Sequence, residues 1–155
     1  EHLRLMAASD RFTFVKDTSH DVAVLARKAE LTRGSRVRIY NAQAHSVVRS
    51  VRDGGAGFSG WVGNILPGLM GWLVAHAHED DPQVLRVQRA LSVAEAALGS
   101  NYPSSAKWVL RTSFGVPIQD VSRMSADANL TPHNTQPLRD LIALLAEADL
   151  LDLKP

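Results

Sequence analysis

The sequence predicts an α/β fold in which a parallel sheet is covered by helices. Two observations carry that prediction. Three short β-branched or aromatic runs are each followed at once by an apolar pattern of helical period, and parallel neighbours need such a crossover between them. The remaining half of the chain is helical by periodicity throughout, with Pro- and Gly-bearing breaks.

Leu3, Leu5 and Met6, followed by Ala7 and Ala8, read as helix from the start of the chain, with no signal-peptide pattern. The chain is therefore expected to be cut from a longer one. Arg11-Phe-Thr-Phe-Val15 reads as a buried strand ending at Lys16. A helix follows, with Asp17-Thr18-Ser19 as capping side chains, Val22, Leu25, Ala26 and Ala29 on one face, and Gly34 as breaker. Arg36-Val-Arg-Ile-Tyr40 reads as the second strand. Ala44 to Asp53 forms the next helix, with Val47, Val48 and Val51 on one side and Gly54-Gly55 as its stop. Gly57 to Val62 reads as the third strand, and Pro67 opens an apolar helix that ends near His78. Asn64 is a candidate cap for that helix. Helices are then expected over Gln83–Leu98, Ser105–Phe114 and Pro137–Leu151, separated by Asn101-Tyr-Pro103, Gly115-Val-Pro117 and Thr131-Pro132. Residues 1–80 thus form the βα part and residues 81–155 the helical region. A closed barrel of eight βα units needs about 250 residues, and three parallel strands alone leave an open edge, so part of a barrel is the better reading.

Composition narrows the function. A formal net charge of +1, with Lys and Arg scattered, provides no basic stripe for nucleic acid. The chain has no cysteine, which excludes disulfides, thiol catalysis and cysteine-ligated metal and is compatible with a reducing cytoplasm. The apolar stretch from Trp61 to Leu73 is broken by Gly63, Asn64, Pro67 and Gly68, too short a run to span a bilayer. A small molecule or a protein is the expected partner.

Lys16 shares strand parity with Phe12 and Phe14, so its stem leaves the face that carries two aromatic rings while its amine reaches the carboxyl end of the strand, where parallel α/β folds place active sites. Desolvation by such neighbours favours a neutral amine, the form that attacks a ketone to give an imine. The competing interpretation is a lysine that snorkels into water beside Asp17. His76 and His78 have metal-ligand chemistry but stand two apart, on different sides of a helix, so a helix end beside a solvated acidic turn is the better interpretation. Gly54-Gly55-Ala56-Gly57 precedes a strand and reads as a turn, not a phosphate loop. The Leu138, Leu141, Ile142 and Leu145 stripe reads as core or subunit contact.

Three segments in order carry a family resemblance. Phe14-Val-Lys-Asp-Thr-Ser-His-Asp21 resembles the G-I-K-D/E-S/T-S/T-G-D segment of the dihydrodipicolinate synthase / N-acetylneuraminate lyase family, with His20 where the family usually has glycine. Asp53 to Pro67 resembles its L-G-G-x-G-V-I-S-V-x-A-N-V-x-P, and Asn101 to Leu110 its N-P-x-P-V-K-x-A-L with one extra residue. The resemblance implies strands six to eight of a (β/α)8 barrel followed by a C-terminal helical region, a homotetramer, and a class I lyase or aldolase in which Lys16 forms a Schiff base with pyruvate or another 2-oxo acid, without cofactor or metal. It implies Ser59 in the substrate cavity beside the lysine, the competing interpretation being a small residue that packs inside a barrel strand; Gly60 and Gly63 would let backbone approach a ligand closely. It also implies that the acidic turn usual in the family is replaced by Ala42-Gln43-Ala44, which leaves Asn41 and Gln43 to recognise substrate by neutral hydrogen bonds. The family's tyrosine and carboxylate-binding turn precede the lysine and are not in this sequence. Two alternatives stand beside the lyase: a non-catalytic barrel that binds a small molecule or acts as a scaffold, and a sugar-acid dehydratase sharing the imine.

Overall fold

The computed structural model describes residues 1–123 and 130–153. Helix α1 (His2–Ala8) leads into strand β1 (Phe14–Asp17), helix α2 (Val22–Leu31), strand β2 (Arg38–Asn41), a 3-10 turn over Ala44–Ser46 and helix α3 (Val47–Arg52). Strand β3 (Gly57–Phe58), a 3-10 turn over Trp61–Asn64 and helix α4 (Pro67–Ala75) close the βα part. Helices α5 (Pro82–Gly99), α6 (Ser104–Phe114) and α7 (Pro132–Glu147) follow. The strands form one parallel sheet in the order β1-β2-β3, with Phe14 opposite Arg38, Lys16 opposite Tyr40 and Tyr40 opposite Gly57. The α/β class with a small parallel sheet is therefore as expected. No helix among the described residues is long and apolar enough to cross a membrane.

Period-two alternation decides which sheet face is covered. Val15, Asp17, Ile39 and Asn41 turn toward the helices, and Ile39 packs with Leu25 and Ala29 of α2, with Val37, and against Val15 and Leu3. Phe14, Lys16 and Tyr40 turn the other way, where Phe14 stacks on Tyr40 with ring centroids 4.5 Å apart. The larger core joins Val47, Val48 and Val51 of α3 and Leu69 and Leu73 of α4 to Val84, Val87 and Leu91 of α5 and to Leu138 and Leu145 of α7. The change of character near residue 80 is thus a change from βα units to helices within a shared core. The Leu138, Leu141 and Leu145 stripe belongs to that core, with Ile142 packed against it.

Several boundaries differ from the sequence reading. β1 begins at Phe14 and includes Lys16, and Phe12 and Phe14 are 45% and 51% exposed, so this strand is not buried on both faces. The N-cap of α2 is Asp21, whose Oδ1 accepts from the backbone N–H groups of Ala23 (2.8 Å) and Val24 (3.1 Å), and not Asp17-Thr18-Ser19. β3 holds two residues instead of six because β2 ends at Asn41: the Ser59 N–H still reaches the Asn41 carbonyl at 2.7 Å, beyond which there is no strand to pair with. The N-cap of α4 is Leu66, so Asn64 does not cap it, and α4 ends before His78. His76 follows its last turn, stacked on Trp72 with Nδ1 2.8 Å from the Trp72 carbonyl oxygen. α7 starts five residues early because Thr131-Pro132 is a helix start: Pro132 is its first residue and the Asn134 side chain accepts from the Thr131 N–H at 3.2 Å.

Candidate active site at the carboxyl ends of the strands

The third residue of β1 is Lys16, and the parallel register places it beside Tyr40 on the uncovered sheet face. It lines an open cleft of about 530 Å³ with Phe58, Ser59, Gly60, Trp61, Gly63, Asn64, Pro67, Met70 and Tyr102. The structure therefore brings together Lys16, Ser59 and Gly60. Lys16 is itself exposed, as is Phe14, so the expected enclosure of the amine by two aromatic rings is not supplied by the described residues.

Gly60 is where the wall of the cleft is tightest. A Cβ there would stand 2.3 Å from the Phe58 ring and 2.5 Å from the Ala42 carbonyl oxygen, so only glycine lets the chain leaving β3 pass the chain leaving β2. Ser59 is half-buried beside it, its backbone tied to Asn41 as described.

Asn41 and Gln43 are not among the residues lining the cleft. Asn41 is buried: its Nδ2 donates to Ser46 Oγ at 2.9 Å and its Oδ1 accepts from the Gln43 N–H at 2.9 Å. Its amide thus shapes the turn after β2. The Gln43 side chain reaches the His20 imidazole across the two strand-end loops, Nε2 to Nδ1. His20 has φ +61°, the left-handed conformation that glycine adopts at no steric cost. His20 thus holds a backbone shape that most side chains avoid.

Asp17, next to Lys16, points to the covered face. Its carboxylate is ion-paired with Lys28 of α2 and accepts from the Ser19 N–H at 2.9 Å and the Ser19 hydroxyl at 2.5 Å. Burial alone raises its carboxyl, but Lys28 and Ser19 outweigh that and hold it below the ordinary 3.8. Glu95 of α5 behaves oppositely: burial raises its carboxyl, opposed by the Ala44 N–H and by His45 and His20. His45 itself is exposed. Among the described residues no three His, Cys, Asp or Glu side chains are grouped to hold a metal ion.

Tyr102, Trp61 and Met70 also line the cleft, and nothing in the local sequence marks them as site residues. Tyr102 belongs to the helical region and meets Trp61 with ring centroids 4.8 Å apart, bringing that region to the cleft. Its trace in the sequence is the Asn101-Tyr-Pro103 segment before α6, which marks a boundary and opens the third family-like segment but carries no pointer to the cleft.

The fold and the lysine-bearing cleft at its strand ends define a class, parallel βα units completed by a helical region. Its particular likeness is to solved dihydrodipicolinate synthases. A putative dihydrodipicolinate synthase from Thermus thermophilus matches at TM-score 0.78 and 20% identity, over 96% of this chain and 50% of that one. The enzyme from Thermotoga maritima matches at TM-score 0.76 and 20% identity, over 96% and 50%. The 4-hydroxy-tetrahydrodipicolinate synthase from Methylacidiphilum fumariolicum matches at TM-score 0.78 and 18% identity, over 99% and 51%. This chain thus spans about half the length of each of these structures. No family model and no curated protein matches the sequence.

Proposed function

We propose that the chain is the C-terminal part of a (β/α)8 barrel, strands six to eight with the helical region, of a class I lyase or aldolase. In this reading the Lys16 amine attacks the ketone carbon of pyruvate or another 2-oxo acid. Loss of water gives an iminium ion, which withdraws electrons so that a proton leaves the adjacent carbon. The resulting enamine attacks an aldehyde to form a carbon–carbon bond, and hydrolysis returns the amine; the reverse sequence cleaves the same bond. The observation that carries the proposal is the placement of Lys16 in a cleft at the carboxyl ends of parallel strands.

Ser59 and the backbone at Gly60 are the proposed substrate contacts, since both line the cleft with Lys16. Asn41 and Gln43 stand behind that wall and are assigned to holding it. A homotetramer belongs to the same proposal and rests on the family resemblance alone.

The test is incubation of the full-length protein with pyruvate, reduction by borohydride, and peptide mapping by mass. The expected result is a single reduced adduct on Lys16, abolished in Lys16→Ala. An adduct on another lysine, or none, overturns the imine mechanism. The replacement of the acidic turn by Ala42-Gln43-Ala44 favours a second reading, a barrel that binds without catalysis. That reading requires 2-oxo-acid affinity unchanged in Lys16→Ala. A dehydratase would give the adduct too, and product analysis with sugar acids separates it from the aldolase.

A further inference from the structure

Helix α3 and the 3-10 turn before it begin without caps of their own: neither Gln43 nor Ser46, their N-cap residues, makes a side-chain capping bond. The uncapped donors are satisfied from far along the chain. Glu95 Oε2 accepts from the Ala44 N–H at 3.0 Å, and Gln88 Oε1 accepts from the Val48 N–H at 2.8 Å, across separations of 51 and 40 residues. Gln88 and Glu95 are seven apart on α5 and therefore share a helix face. That face also carries Val84, Val87, Leu91, Ala94 and Leu98, all buried in the main core. Helix α5 is thus fixed by its apolar stripe, and its two polar members reach the turn after β2 (Glu95) and the first turn of α3 (Gln88).

That turn bears on the cleft. The Ala42 carbonyl, two residues before Ala44, is the backbone atom packed against Gly60, and Gln43 between them holds His20. We propose that Glu95 is a positioning residue: from the helical region it pins the Ala42–Ala44 turn and, through the Ala42–Gly60 contact, sets the wall of the cleft that contains Lys16. Glu95 Oε1 is buried without a hydrogen-bond partner, so the carboxyl group is held at this place at a desolvation cost, with only Oε2 engaged. The bond to the Ala44 N–H needs only an acceptor oxygen. An isosteric amide therefore does the same work, whereas alanine does not.

The inference rests on the cleft being the substrate site, and the experiment separates the two. The full-length protein, Glu95→Gln and Glu95→Ala are compared by backbone hydrogen exchange and by pyruvate trapping on Lys16. Glu95→Ala is expected to speed exchange at least tenfold in peptides covering residues 41–48 and 58–64, with no change over α2. It should also raise the pyruvate concentration for half-maximal trapping about fivefold or more, and Glu95→Gln should restore both. Unchanged exchange over 58–64 in Glu95→Ala, or a folded Glu95→Gln that fails as alanine does, overturns the proposal. If wild type traps no pyruvate the imine reading fails alone, and the exchange pattern still decides the role of Glu95.

Discussion

Lys16 and Asp17 are adjacent in β1 and face opposite sides of the sheet: Lys16 turns to the open cleft, and Asp17, 3% exposed, is ion-paired with Lys28 of α2. One peptide unit thereby joins the proposed reactive amine to an anchor in the layer of helices. The Asp17 contacts, with the pairing to β2 and the packing of Val15, hold the strand in the rotation that sends the Lys16 stem to the cleft.

Replacing Asp17 by Asn is expected to cost about 1–3 kcal/mol at neutral pH, since it removes the partner of a half-buried ammonium while keeping an acceptor for Ser19. The folded carboxyl titrates below its ordinary 3.8, so its contribution is present above that value and lost as pH falls through the lower folded value. Urea denaturation at a series of pH values should show the two proteins converging in acid, where protonated Asp17 resembles Asn. A difference independent of pH would show that the ion pair is not the source.

His20→Gly is expected to change stability by less than about 1 kcal/mol, because relief of the left-handed backbone is offset by the greater freedom of glycine in the unfolded chain and by loss of the Gln43 contact. His20→Val should cost about 1–2 kcal/mol, a β-branched side chain being poorly tolerated at positive φ. Thermal or urea unfolding of the pair checks this, and equal stability of the two variants would refute it.

Gly60→Ala is expected to destabilise by about 1–3 kcal/mol, because the added methyl would meet the Phe58 ring and the Ala42 carbonyl oxygen inside contact distance. The ring can turn; the Ala42 backbone can yield only by moving the turn that Glu95 holds. The substitution should therefore also weaken pyruvate trapping on Lys16. Wild-type stability in this variant would mean that the two strand-end loops are not in contact.

The sequence made the class and the position of Lys16 at a strand end legible for local reasons, while the role proposed for Lys16 came from the family resemblance. Strand parity placed Phe14 and Lys16 on one face, and the βα rhythm required a parallel sheet. What it could not show was non-local. The length of β3 depends on where β2 stops, the cap of Ala44 comes from Glu95, and the wall at Gly60 depends on Ala42. Asn41, read as a substrate contact, spends its amide on Ser46 and Gln43, an outcome decided by the turn it sits in. Glu95 did leave a trace, as an acid at heptad spacing from Gln88 inside an otherwise apolar stripe. Such an interruption is informative only when its partner is known.

Tyr102, against Trp61 at the cleft, makes the site a product of both parts of the chain. The βα units and the helices after residue 80 are consequently not interchangeable modules. A chimera that joins these βα units to the helices of a distant relative would inherit a different wall along with its different tail. With the cleft as the proposed substrate site, ligand preference and the C-terminal helices are expected to diversify together among proteins built on this plan.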